Sequence, residues 1–188
     1  MLDQFMQMMY EMDPDLSGHG SRVAALSAPL AESLGLSRDD RRRLHIAAHL
    51  HDVGKIRVDS DVVLKPGPLT AAEWVQMRKH PLEGFRIIDG LVHVGIADTV
   101  IAHHERFDGS GYPFGLRGTD IPYLARILLV ADAFDAMTSE RPYQPALPAD
   151  HAFAELQRFA GTQFDPCVVR VMLASAPAIY RHTVALTG

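Results

Sequence analysis

Apolar side chains recur at three- and four-residue intervals along most of the chain, the period that aligns one face of an α-helix. SRDDRRRLHIAAHLHDVG, residues 37–54, shows this at Leu44, Ala47, Ala48 and Leu50. Ser37 with Asp40 three positions on gives a capping-box start, and Gly54 supplies a stop. LTAAEWVQMRKH, residues 69–80, repeats the device with Thr70 and Glu73. IPYLARILLVADAFDAMTS, residues 121–139, places Pro122 at a first helical position, where its missing N–H costs nothing. GIADTVIAHHE, residues 95–105, is helix-like with Val100 and Ile101 on the buried side. ADHAFAELQRFAG and DPCVVRVMLASA read as two closing helices. GSRVAALSAPLAESLG, residues 20–35, has the same period, with a kink expected at Pro29.

Strand signals are poor. IRVDSDVVLKPGPL, residues 56–69, alternates briefly, but Pro66, Gly67 and Pro68 make it an extended connection. No repeat, low-complexity tract or linker divides the chain. Residues 1–188 therefore read as a single all-α domain of about seven helices with long functional loops. Residues 1–14 read as an N-terminal packing helix with a Met-rich face of Phe5, Met6, Met8, Met9 and Met12. Such a stripe fits core packing first and a homodimer contact second.

At 188 residues and 47% hydrophobic, the chain can bury one sizeable core. A net charge of -5 argues against a nucleic acid polymer as partner, which leaves a basic footprint. Small anions remain accessible through local cations or a metal. Cys167 is the only cysteine, so no intrachain disulfide forms and a reducing compartment is the natural reading. With no basic leader and no apolar run of about 18 residues, the chain reads as cytoplasmic and away from the membrane.

HLHDVGK, residues 49–55, sets His51 beside Asp52 near a helix end. Helical neighbours diverge by about 100°, so both touch one ion only if it lies between their directions. An imidazole and a carboxylate together suit Zn, Fe or Mn. Lys55, past the Gly54 exit, falls within reach of a bound phosphate. A plain helix C-terminus with a dipole-favoured histidine explains this stretch equally well. His103 and His104 are adjacent and followed by Glu105. Asp132 interrupts the apolar run ARILLVADAF, where a carboxylate is costly unless paired or metal-bound. Asp135, one turn on, is placed to orient a ligand. Singly, His19, His80 and Asp132 each have a structural explanation; in conjunction with HD and HH they do not.

The order His19, His51-Asp52, Asp132 resembles the H…HD…D signature of the HD phosphohydrolase superfamily. HDVGK, HHERFDGSGYP and VADAFDAMTSERPY resemble its HD-GYP subfamily of cyclic di-GMP phosphodiesterases. KPGPLTAAEW, KHPLEG and AGTQFDPCVV extend the resemblance from about His19 to about Val169.

The resemblance implies a compact HD-domain helical bundle with at least two divalent ions, iron or manganese. His19, His51, Asp52 and Asp132 would hold one ion. Asp52, His80, His103 and His104 would hold the other, with Asp52 bridging. Paired ions about 3.5–4 Å apart generate a hydroxide at neutral pH and clamp an in-line displacement on phosphorus. The reaction implied opens cyclic di-GMP to linear pGpG and on to GMP, in bacterial second-messenger signalling. Asp52 and Lys55 would be catalytic, and Lys55, Tyr112 and Arg141 would contact substrate. Glu105, Asp108 and Asp135 would stand behind the ligands.

Two departures bear on this. Three-metal members carry a glutamate four residues before the first histidine; here that position is Asp15, a shorter carboxylate and a candidate third-metal ligand. Gln144 stands where a basic residue is common, removing one cationic contact. A separate sensor protein or a diguanylate cyclase is the regulatory partner implied. Two other readings stay open: a nucleotide-sensing or protein-docking module with little turnover, or the same hydrolysis on another cyclic nucleotide.

Overall fold

The computed structural model describes residues 2–140 and 145–176, with the backbone alone for residues 2, 3, 14, 15 and 17. The architecture is all-α. In chain order the helices are α1 (Leu2–Met12), α2 (Pro14–Ser33), α3 (Arg38–Leu50), α4 (Ser60–Val63), α5 (Ala71–Met77), α6 (His80–Ile88), α7 (Val94–Ala102), α8 (Tyr123–Thr138), α9 (Ala149–Arg158) and α10 (Pro166–Ala174). Two 3-10 turns, Val53–Arg57 and Gly118–Asp120, interrupt the connections. Among the described residues there is no strand, only an isolated bridge between Ala160 and Phe164.

The centre is α8. Ala125, Ile127, Leu128, Leu129, Val130, Ala131 and Phe134 are all buried, and the unbroken run from Ile127 to Ala131 shows that the middle of the helix is enclosed all round. It lies against α2 (Val23, Leu26, Leu30), α3 (Leu44, Ala47, Leu50) and α7 (Ile96, Val100) in one continuous core. Phe134 meets Phe153 of α9 at a ring-centroid distance of 4.8 Å. α1 closes one side with Met9 fully buried and Phe5 and Met12 partly so, while Met8 stays exposed.

Helix starts follow local chemistry. The Thr70 and Glu73 pair forms both arms of a capping box. At α3 only one arm forms: Ser37 accepts the Asp40 N–H at 3.1 Å, while the Asp40 carboxylate takes the Ser37 hydroxyl instead. Pro122 precedes α8 as its cap rather than opening it. α2 runs on through Pro29 for one more turn. Among the described residues ten helices stand where about seven were expected, and α4 and α6 are those that the periodicity does not foresee. α4 replaces part of the extended connection because Asp59 caps it, accepting the Asp61 N–H at 3.0 Å. α6 begins at His80 with Pro81 in its first turn.

The 103–117 loop is pinned from beneath. The buried Glu105 carboxylate accepts the backbone N–H of Phe114 at 2.7 Å and of Leu116 at 3.0 Å. Arg106 donates to Ser110 and to Gln163, tying the loop to the turn after α9. A side chain at Gly111 would collide with the backbone of residues 104–106, so the loop folds flat onto its own start.

Candidate metal centre

Helix ends meet beside α8. His51 caps α3 and Asp52 opens the 3-10 turn; His80 begins α6; His103 caps α7 and His104 follows it. His19 comes from α2, and Asp132 and Asp135 from α8. A side chain at Gly54 would collide with the His80 carbonyl and the Gly84 backbone, so the HDVGK turn packs directly on α6.

The last carbonyls of a helix have no intrahelical partner. His51 Nδ1 lies 2.7 Å from Ala48 O, His80 Nδ1 2.7 Å from Met77 O, and His103 Nδ1 2.6 Å from Val100 O. A carbonyl only accepts, so each Nδ1 carries a hydrogen and each Nε2 is the ring nitrogen turned inward. His19 is oriented differently: its Nδ1 meets Asp135 Oδ2 at 2.7 Å. Arg22 and Ser139 in turn donate to the Asp135 carboxylate.

The inward atoms form two groups, His19–His51–Asp52 and His80–His103–His104. Within the first, Nε2 of His19 is 3.2 Å from Nε2 of His51 and 3.0 Å from Asp132 Oδ1. Within the second, Nε2 of His80 and His103 are 3.3 Å apart. Asp52 stands between the groups. Its Oδ2 is 3.6 Å from His51 Nε2 and its Oδ1 is 3.4 Å from His80 Nε2. Lys55 donates to Asp52 Oδ2 at 2.6 Å.

Burial pushes His80 and His104 down to about 3 and His103 well below the usual imidazole value, so all three are neutral. For His19 burial also works downward, but hydrogen bonds to Asp132 and Asp135 outweigh it and raise the group to about 9. Burial would raise Asp52, yet Lys55 foremost among the nearby charges holds its carboxyl well below the ordinary range. Asp132 is likewise held low against its burial by the His19 hydrogen bond.

These donors fit a divalent metal centre. His80 and His103 are neutral, with Nδ1–H engaged, and they oppose two lone pairs that no hydrogen can join; a cation resolves that contact. Imidazole with carboxylate is the donor set of Zn, Fe and Mn.

The remaining expected residues fall as follows. Tyr112 stacks on His104, with ring centroids 4.9 Å apart and planes at 29°. The hydrogen bonds of Glu105 and Asp108 run to the loop, whereas Asp135 bonds a cluster histidine directly. Arg141, Gln144 and the Asp15 side chain lie outside the described residues. A cleft of about 340 Å³, lined by His104, Asp132, Met137, Glu155, Phe159 and Gln163 among others, adjoins the cluster. The periodicity and motifs do not single out Arg22, three residues after His19, or Arg78, whose guanidinium lies 5.4 Å from the Tyr112 ring centroid.

Fold and cluster together define a helical domain with a buried histidine–aspartate site. The model of the HD domain family matches residues 3–168, and the chain belongs to that family. It is 44% identical over 165 residues to the cyclic di-GMP phosphodiesterase response regulator RpfG of Xanthomonas campestris pv. campestris, covering 86% of this chain and 43% of that protein. It is 40% identical over 154 residues to 3'3'-cGAMP-specific phosphodiesterase 3 of Vibrio cholerae, covering 81% of this chain and 34% of that one. The chain thus spans less than half the length of either curated relative. A crystal structure of a cyclic GMP-AMP specific phosphodiesterase of V. cholerae shares the fold, with a TM-score of 0.73 at 18% identity over 100% of this chain and 51% of that one.

Proposed function

We propose that this chain, read as one domain of the HD-GYP type, is a cytoplasmic metal-dependent phosphodiesterase acting on cyclic dinucleotides. Cyclic di-GMP is the first substrate, opened to linear pGpG and on to GMP. The observation that carries the reading is the placement of Asp52, with one oxygen toward each histidine group. His19, His51, Asp52 and Asp132 would hold one ion, and Asp52, His80, His103 and His104 the other. Iron or manganese suits these donors. Such a pair supplies an ionised water at neutral pH and stabilises charge on the phosphoryl oxygens.

The chain's own groups do the rest. The Nδ1–H bonds to backbone carbonyls fix three ligand rings in advance, which lowers the reorganisation needed on binding. Asp135 fixes His19 in the same way. Lys55, which donates to Asp52 Oδ2 at 2.6 Å, would turn to a nonbridging phosphate oxygen and neutralise it. Tyr112 borders the site beside His104. Arg141 is the guanidinium proposed for the nucleotide.

The test is direct. Reduced, manganese- or iron-loaded protein is incubated with cyclic di-GMP, 3'3'-cGAMP and cyclic di-AMP, and the products are identified by mass. Turnover of cyclic di-GMP that disappears together with bound metal in Asp52→Ala supports the reading. Full turnover in a metal-free Asp52→Ala preparation overturns it. A preference for 3'3'-cGAMP, the substrate named for the V. cholerae relative, would keep the chemistry and reassign the nucleotide.

A further inference from the structure

His104 differs from the other cluster histidines. His51, His80 and His103 each have Nδ1 hydrogen-bonded to a backbone carbonyl, and His19 has Asp135. Among the described residues neither ring nitrogen of His104 has a hydrogen-bond partner. What touches its ring is other rings: His103 at a centroid distance of 4.0 Å with the planes tilted by 41°, His80 edge-on at 4.9 Å, and Tyr112 at 4.9 Å in the one near-parallel stack. The Arg78 guanidinium covers Tyr112 at 5.4 Å and Trp74 at 5.9 Å. Trp74 and Arg78 are four residues apart at the end of α5, so one helical turn presents both to the same column. The backbone holds the far side in place: Tyr112 N–H donates to His104 O at 3.2 Å, and Gly111 permits the close fold.

We propose that Tyr112, Arg78 and Trp74 are positioning residues that hold the His104 ring in its ligating orientation. The stack takes the part that a carbonyl or carboxylate takes for the other histidines. Aromatic contact fixes the plane of a ring without occupying either nitrogen, so it suits a ligand beside an open substrate face. This inference rests on His104 being a ligand of the second ion. It gives Tyr112 a duty in its ring rather than its hydroxyl.

The test uses the full chain loaded with Mn2+. Ions per chain are measured by elemental analysis, the release rate by challenge with EDTA, and spin coupling between paired ions by electron paramagnetic resonance. Tyr112→Phe, which keeps the ring, should match wild type in stoichiometry and coupling. Tyr112→Ala should release the second ion about 10–100-fold faster, the range for loss of a group that orients a ligand, and should show an uncoupled spectrum. Arg78→Ala, at an exposed position, should shift release in the same direction by less. Thermal melting of the metal-free variants separates this from a folding defect, which would free both ions. Wild-type stoichiometry and release in both Tyr112→Ala and Arg78→Ala would overturn the inference while leaving the metal reading intact. Loss of the second ion in Tyr112→Phe would also overturn it, by assigning the work to the hydroxyl. A wild type that binds only one ion would overturn the ligand reading and this inference together.

Discussion

His80 and His103 present Nε2 to Nε2 at 3.3 Å while both Nδ1 atoms are bonded to backbone carbonyls, leaving two lone pairs face to face in the protein interior. In the metal-free chain that contact is unfavourable. Metal should therefore stabilise the fold itself. At free Mn2+ about one hundred times its Kd, the gain expected from linkage is about 2.7 kcal/mol. Thermal melts with chelator and with graded Mn2+ or Fe2+ check this. A Tm that does not move with any divalent ion would count against the site.

Asp135 accepts from His19, Arg22 and Ser139, and it orients a proposed ligand without being one. Asp135→Ala should weaken the ion at His19 by about 10–100-fold, because the imidazole loses its tautomer and its fixed ring. The ion at His80 should be held as before. Isothermal titration resolves the two, and an equal loss at both ions would show that Asp135 acts through the fold as a whole.

The cluster was legible because its signals are local or chemically expensive. His51-Asp52 and His103-His104 are adjacent pairs, and Asp132 is a carboxylate inside an apolar run that a core helix does not tolerate idly. The long periodic helices were legible for the same reason that they are stable: each buries a continuous stripe. α4 was not legible, since four residues carry no period and its cause is the Asp59 side chain. Neither was the stack of Trp74 and Arg78 on Tyr112, which joins α5 to a distant loop through tertiary contact alone. Glu105 follows the histidine pair in sequence and is expected to stand behind the ligands, but its two acceptor bonds serve the loop backbone, a pairing set nine and eleven residues further along the chain.

The metal-free protein should be most stable near pH 6.5. His19 is raised to about 9 when folded, so its contribution is complete below the ordinary value of 6.5 and is lost as pH rises through about 9. His80 and His104 are depressed to about 3, so theirs is complete above 6.5 and is lost as pH falls toward 3. Asp132, held low, adds to the acid loss below its ordinary value of 3.8. Urea midpoints of chelated protein across pH 4–10 check the shape, and a curve rising steadily to pH 9 would contradict it.

Lys55 donates to Asp52 at 2.6 Å, and in the proposed reaction it changes partner from carboxylate to phosphate. Lys55→Met should therefore leave metal content intact, since the carboxylate loses a competing cation. Turnover should fall by about 10²–10³-fold, the usual consequence of losing one charge stabiliser at a reacting oxygen. Metal analysis beside kcat/KM distinguishes this from a ligand-shell defect, in which ions and turnover would fall together.

Glu105 is buried, and its carboxylate is the acceptor for the N–H groups of Phe114 and Leu116. Glu105→Ala strands two amides where only part of the loop can relax, and a buried unsatisfied group costs about 1–3 kcal/mol. Glu105→Gln keeps one carbonyl acceptor and should lose less. Because Tyr112 sits between His104 and Phe114 in this loop, freeing residues 114 and 116 should also loosen the ring on His104. Hydrogen exchange should therefore speed up at the amides of Phe114 and Leu116 in Glu105→Ala before it changes in α7 or α8. Unchanged protection at those two amides would mean that the loop is held by Arg106 and its Gln163 contact instead.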